Sequence, residues 1–193
     1  MSPLLDPSLV ETYQTHGVVV LKGLVSPETI AELAEGVERN LASPGPWANE
    51  YTPAGSSGRF FDDYVNWQRI DQFARAATSG PIPRAARELM GSKVARLFHE
   101  HVLVKEAETR EVTPWHHDDP YYGIDGMDNV SIWIPLDPIP DSVALRFIPG
   151  SHRWNARFIP RRFADQSAYV DAAHDFVHLP PPEDLEHQAT LST

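Results

Sequence analysis

Residues 94–105 read Val94-Ala-Arg-Leu-Phe-His-Glu-His-Val-Leu-Val-Lys105, and here the chain turns from helix-forming to strand-forming composition. The run is rich in β-formers and longer than an ordinary strand, so a twist or bulge within it is expected. Further strands are predicted over 113–122, 130–136 and 145–148, separated by turns that carry Gly and Pro. Upstream, the pattern is helical. Asp6-Pro7 reads as an N-cap followed by proline at the first helical position, and Gly17 closes that helix. Val18-Val-Val-Leu21 reads as a short buried strand. Ser26-Pro27 opens a second helix with Ile30, Leu33, Val37 and Leu41 on one face, stopped by Ser43-Pro-Gly-Pro46. A loop rich in Gly, Ser and Pro leads to Gly58 and the aromatic stretch Arg59-Phe-Phe-Asp-Asp-Tyr-Val-Asn-Trp67. Two short helices are expected between Ile70 and Met90, closed by Gly91. There is no internal repeat, and signals weaken from Arg162 onward. Helices first and closely spaced strands after predict an α+β protein, mainly β, whose functional half is a sandwich or barrel.

The chain has 193 residues, which suits one domain spanning 1–193, with a helical part over about 1–92 and a β part over about 93–193. Hydrophobic residues at 41% and charged residues at 22% are ordinary globular usage and exclude disorder throughout. Lys+Arg 16 against Asp+Glu 27 gives a net charge of −11. With no dense basic stripe, neither nucleic acid nor an anionic membrane surface is expected as a partner. Cysteine is absent, so disulfides, thiolate nucleophiles and Cys-ligated metals are excluded, and any metal must be held by His, Asp or Glu. The start carries no signal-peptide pattern, and 18–21 is far too short to span a bilayer. The expected compartment is the cytoplasm.

The sharpest local feature is Thr113-Pro-Trp-His-His-Asp-Asp-Pro-Tyr-Tyr122. On a strand, alternate side chains share a face, so His116 and Asp118 would project together while His117 and Asp119 face the other way. One imidazole and one carboxylate two residues apart can reach one divalent metal, two-thirds of the 2-His-1-carboxylate triad of non-haem Fe(II) sites. A polar strand end facing solvent reads the same way. The doubled His-His-Asp-Asp leaves the register open, because His117 and Asp119 have the same spacing.

Four segments occur in order: Phe98-His-Glu-His-Val-Leu-Val-Lys-Glu106, Thr113 to Tyr122, Val130-Ser-Ile-Trp-Ile-Pro-Leu-Asp137 and Phe147-Ile-Pro-Gly-Ser-His-Arg-Trp154. Together they closely resemble the phytanoyl-CoA dioxygenase family of Fe(II)/2-oxoglutarate oxygenases, over most of the chain. The resemblance implies a double-stranded β-helix (a jelly roll, cupin-like) preceded by helices. It selects the first register, with His116 and Asp118 as iron ligands and catalytic residues and His117 as spacer. It places His101 near the 2-oxoglutarate pocket, a core histidine being the other reading. Trp133 matches a position beside the co-substrate, or is plain core, and Asn66 offers a polar contact to it, or is a solvent-facing loop amide. Gly150-Ser-His152 reads as a tight turn rather than a ligand. A carboxylate at Asp118 favours hydroxylation, since related halogenases leave that position to a halide.

The family's distal His after a Gly-Asp turn, and an Arg beyond it that grips the far carboxylate of 2-oxoglutarate, have no counterpart here. His174, His178 and His187 follow no Gly-Asp. The expectation is a C-terminally truncated β-helix lacking its last strands, loosely binding Fe(II), and unstable alone or homo-oligomeric through exposed strand edges. Three functions are then in view. The first is an Fe(II)/2-oxoglutarate-dependent dioxygenase, with ascorbate as reductant, hydroxylating a small-molecule substrate with O2. The second is a metal-free binding or scaffold module. The third is another metalloenzyme of this fold recruiting His174 or His178 as third ligand. Tyr121, Tyr122 and the aromatic loop 59–67 are candidate pocket walls or ordinary rim packing. Arg153, Arg157, Arg161 and Arg162 are a candidate patch for a polyanionic substrate or a solvated basic loop.

Overall fold

The computed structural model describes residues 2–52, 55, 57–109, 112–124, 126, 128–162, 167–168 and 175–191. In chain order the elements are α1 (Pro7–His16), α2 (Pro27–Ala42), β1 (Asn49–Glu50), β2 (Phe60–Tyr64), α3 (Asp71–Thr78), α4 (Pro81–Leu89), β3 (His101–Lys105), β4 (Arg146–Phe147), α5 (Pro182–Glu186) and β5 (Thr190–Leu191). The fold is α+β with small antiparallel sheets, and it divides into two compact units. One unit comprises Met1–Leu21, Glu88–Met90 and Val112–Thr193; the other comprises Lys22–Arg87 and Gly91–Glu111.

The unit built on Lys22–Arg87 has the regular core. Ser26 caps α2 as its sequence predicts, its hydroxyl accepting from the Thr29 N–H at 3.3 Å with Pro27 in the first turn. From the face read in the sequence, Leu33, Val37 and Leu41 pack against Phe61, Ile70, Phe73 and Val102. The sheet order is β1-β2-β3, all antiparallel, with Asn49 opposite Asp62, Asp62 opposite Leu103 and Tyr64 opposite His101. Alternation therefore puts Phe61 and Val102 on the core face, and Asp62, Tyr64, His101 and Leu103 on the other. The two helices expected after Ile70 form as α3 and α4.

One strand here was not anticipated and another is shorter than expected. The aromatic stretch contains β2, which its doubled aspartates hid, and the long strand of 94–105 pairs only over its last five residues. The ladder ends where its partner ends. Val65 leaves β2 at φ 63°, a left-handed backbone that a β-branched residue rarely adopts, and this turns the chain out of the sheet.

In the other unit, Asp6 caps α1 through the Ser8 N–H at 2.9 Å, and Gly17 closes it at φ 78°, its N–H donating to the Tyr13 carbonyl at 2.7 Å. A Cβ on Gly17 would lie 2.8 Å from the His152 ring Cγ, and the Gly150 N–H donates to the His16 carbonyl at 2.7 Å. The 3-10 turn Ser151–Arg153 is thereby docked on the end of α1. β4 and β5 pair as Arg146 with Leu191 and Phe147 with Thr190, and Leu5, Phe158 and Leu185 are buried.

Most strands expected in this unit are absent. Among the described residues, 18–21, 113–118 and 130–136 join no ladder; the chain at 119–121 is a 3-10 turn, and 145–148 keeps only β4. Pro114, Pro120 and Pro135 bring no N–H to a ladder, which discourages sheet pairing there. No helix among the described residues is long and apolar enough to cross a membrane.

Candidate functional site

His116 and Asp118 come together, but not by strand alternation. Asp118 has helical backbone angles, φ −70° and ψ −38°, as it opens the 3-10 turn Asp119–Tyr121 that Pro120 favours. The turn brings the Asp118 Oδ1 to 3.3 Å from the His116 Nε2. The other ring nitrogen, Nδ1, lies 2.7 Å from the Pro114 carbonyl oxygen. A carbonyl can only accept, so Nδ1 carries a proton. In a neutral ring Nε2 is then a lone pair, aimed at a carboxylate that also has only lone pairs. Such a juxtaposition is closed by a proton or by a cation.

The electrostatics follow from this. Burial disfavours a charge on His116, yet the bonds to Asp118 and the Pro114 carbonyl, with the charge of Asp118, outweigh it and raise its pKa. Burial likewise pushes the Asp118 carboxyl up, but hydrogen bonds from the protonated form of His116, from Ser131 and from Tyr122 hold it below the usual carboxylate range. The Ser131 hydroxyl donates to Asp118 Oδ2 at 2.5 Å, and the Tyr122 hydroxyl lies 3.3 Å from Ser131 Oγ. Tyr121 sets its ring edge-on to His116 at 5.6 Å, anchored by its hydroxyl, which donates to the Arg161 carbonyl at 2.8 Å.

The alternative register is engaged elsewhere. His117 sits against Trp154 and Phe158, with ring centroids at 6.1 and 4.8 Å, and burial lowers its pKa. Asp119 pairs with the Arg157 guanidinium at 2.9 Å. Within the basic segment, Arg157 is engaged by Asp119 and Phe176 and Arg153 by the carbonyls of Gln14 and Thr15, while the Arg161 backbone N–H donates to Tyr121.

Trp133 lies in the same unit and is 49% exposed, so plain core packing is not its role. His101 and Asn66 belong to the other unit. His101 leans on Tyr64 with ring centroids at 4.9 Å, and its Nε2 is 3.2 Å from Asp62 Oδ2. Asp62 is 1% exposed and also accepts from Asn49 Nδ2 and the Tyr51 hydroxyl, each at 2.9 Å. Asn66 is fully buried rather than a solvent-facing amide; its Oδ1 accepts from Arg69 Nε at 2.6 Å and its N–H donates to the Glu100 carboxylate.

Beside it, Asp63 is 0% exposed and accepts from Asn40 Nδ2 at 2.7 Å and the Gly45 N–H at 2.6 Å. Burial opposes its charge, but these donors and the Tyr64 N–H keep its carboxyl below the usual range. Gly45 is required there, because a Cβ would strike Asn66 Oδ1 and the Asp63 carboxylate.

Sequence reasoning missed Ser131, the Pro114 carbonyl and Asp62. Ser131 and Pro114 carry no signal of their own. Two aspartates inside the run Phe60–Tyr64 were a readable one, since buried carboxylates amid aromatics need donors. For a third ligand, His174 lies outside the described residues, His178 and His187 are exposed, and no group of three or more metal-ligating side chains forms among the described residues. The model of the phytanoyl-CoA dioxygenase (PhyH) family matches residues 13–188. No curated protein and no solved structure matches the chain.

Proposed function

The chain belongs to the phytanoyl-CoA dioxygenase family, and on that premise we propose that it is a non-haem Fe(II)- and 2-oxoglutarate-dependent dioxygenase hydroxylating a C–H bond of a small molecule. The observation that carries this reading is the facing pair of His116 Nε2 and Asp118 Oδ1, two lone-pair donors 3.3 Å apart with the far ring nitrogen committed to a carbonyl. That is the donor chemistry of a metal ligand pair, in which the distal N–H bond fixes the tautomer and orients the ring. What iron supplies when bound there is O2 chemistry coupled to decarboxylation of 2-oxoglutarate to succinate.

The protein's own part is orientation. Pro114 and Tyr121 fix the imidazole of His116, and Ser131 fixes the carboxylate of Asp118. His101, Trp133 and Asn66 are assigned to the co-substrate by the family pattern, with ascorbate as reductant. The wider fold is read as the double-stranded β-helix of the family. Because the match over 13–188 spans both compact units, they are taken as parts of one domain over 1–193. The partners proposed are a small-molecule substrate and O2, with homo-oligomerisation through strand edges, and neither nucleic acid nor membrane.

Iron content and succinate formation test the reading together, on the purified chain given Fe(II), 2-oxoglutarate and ascorbate. One iron per chain and succinate that depends on added 2-oxoglutarate are expected. A chain that takes up no iron and makes no succinate would instead be a metal-free binding module.

A further inference from the structure

The two oxygens of Asp118 are given different partners. Oδ1 faces His116 Nε2 at 3.3 Å, whereas Oδ2 accepts the Ser131 hydroxyl proton at 2.5 Å, within the short range of O–H···O⁻ bonds. Ser131 comes from the irregular segment 130–135, thirteen positions along the chain. The Tyr122 hydroxyl lies 3.3 Å from Ser131 Oγ and also hydrogen-bonds the Asp118 carboxylate directly. Tyr122 in turn belongs to the segment that carries His116 and Asp118. The side chain of Asp118 is 45% exposed, so packing alone would leave the carboxylate free to rotate.

We propose that Ser131 is a positioning residue that holds Asp118 to one-oxygen binding of the metal, with Tyr122 as a second, weaker hydroxyl hold on the same carboxylate. This rests on the reading that His116 and Asp118 ligate iron. A carboxylate whose second oxygen is tied to a hydroxyl presents one oxygen to the metal; untied, it can chelate through both and fill a position that the chemistry needs open. Outer partners of metal ligands typically affect metal affinity about 10–100-fold when removed.

The test is a Co(II) titration of the full chain, reading both affinity and the visible d–d absorption, for wild type, Ser131→Ala, Ser131→Thr and Tyr122→Phe. Ser131→Ala is expected to weaken Co(II) binding at least about tenfold and to change the shape and intensity of the bound-Co(II) spectrum. Ser131→Thr, which keeps the hydroxyl, restores both, and Tyr122→Phe gives a smaller change in the same direction. Thermal midpoints without metal separate positioning from folding, because a merely structural role would lower the midpoint and leave the spectrum per bound Co(II) unchanged. Wild-type affinity and spectrum in Ser131→Ala overturn the inference while the metal reading stands. Wild type that takes up no Co(II) overturns both.

Discussion

The molecule contains two His–Asp contacts of nearly equal length in opposite settings. In the Lys22–Arg87 unit, His101 Nε2 lies 3.2 Å from Asp62; in the other, His116 Nε2 lies 3.3 Å from Asp118. Asp62 is sealed on a regular strand and served by three donors, one each from Asn49, Tyr51 and His101. Asp118 sits on irregular backbone, nearly half exposed, with the ring nitrogen facing it already deprived of its proton in the neutral tautomer. The first pair is saturated, and a saturated buried carboxylate holds structure together. The second is more exposed, and it is the pair proposed above to hold a metal ion. Distance alone does not distinguish them; the hydrogen bond on the far side of the ring does.

Substitutions should separate the two settings, and the largest effect is on metal uptake. His116→Ala is expected to abolish Co(II) binding, measured by titration, while His101→Ala leaves the same binding near wild type. Next in size is Asp63→Ala in the regular core. It strands the Asn40 amide and the Gly45 N–H in a buried site, at about 1–3 kcal/mol for each unpaired group. A loss of roughly 2–5 kcal/mol in denaturant unfolding is expected. Tyr51→Phe removes one of three donors to Asp62 and should cost about 1.5–3 kcal/mol, as for other hydrogen bonds to a charged group. By the same measurement Asp118→Ala should cost only about 0–1 kcal/mol, because its ion pair is exposed.

The smallest effects come from pH, and the two settings respond at opposite ends. The pKa of Asp63 is lowered by folding, so its contribution is present above the ordinary carboxylate value and is lost as pH falls through that value towards the folded one. The pKa of His116 is raised, so in metal-free protein its contribution is complete below the ordinary imidazole value and is lost as pH rises through the raised one. Thermal midpoints measured across the acid and the neutral-to-alkaline ranges check both signs. A metal competing with the His116 proton should remove the alkaline loss.

Local signals are legible at the ends of α1 and α2, though not at α5, which forms in the proline-rich stretch that reads as an extended loop. Asp6-Pro7 and Ser26-Pro27 start helices because a side-chain oxygen satisfies the first free N–H groups and proline needs none. Gly17 ends α1 because only glycine enters the left-handed region without cost, and here a side chain would also strike His152. Strands were read poorly, since a ladder needs a partner that no local pattern names. Thus 94–105 shrank to β3, while β2 arose in a stretch whose two aspartates break the apolar rhythm.

The same division runs through the site. Residue type and spacing were enough for the starts of α1 and α2 and the end of α1, the lack of cysteine, the family pattern and His-x-Asp as the pair to examine. How that pair is served follows from packing. It set His116 and Asp118 face to face through a 3-10 turn instead of a strand, gave His117 and Asp119 to Trp154, Phe158 and Arg157, and brought Ser131 onto Asp118. Hydrogen-bond partners far apart in the chain are fixed by packing and backbone direction, and neither can be read from the spacing of two residues.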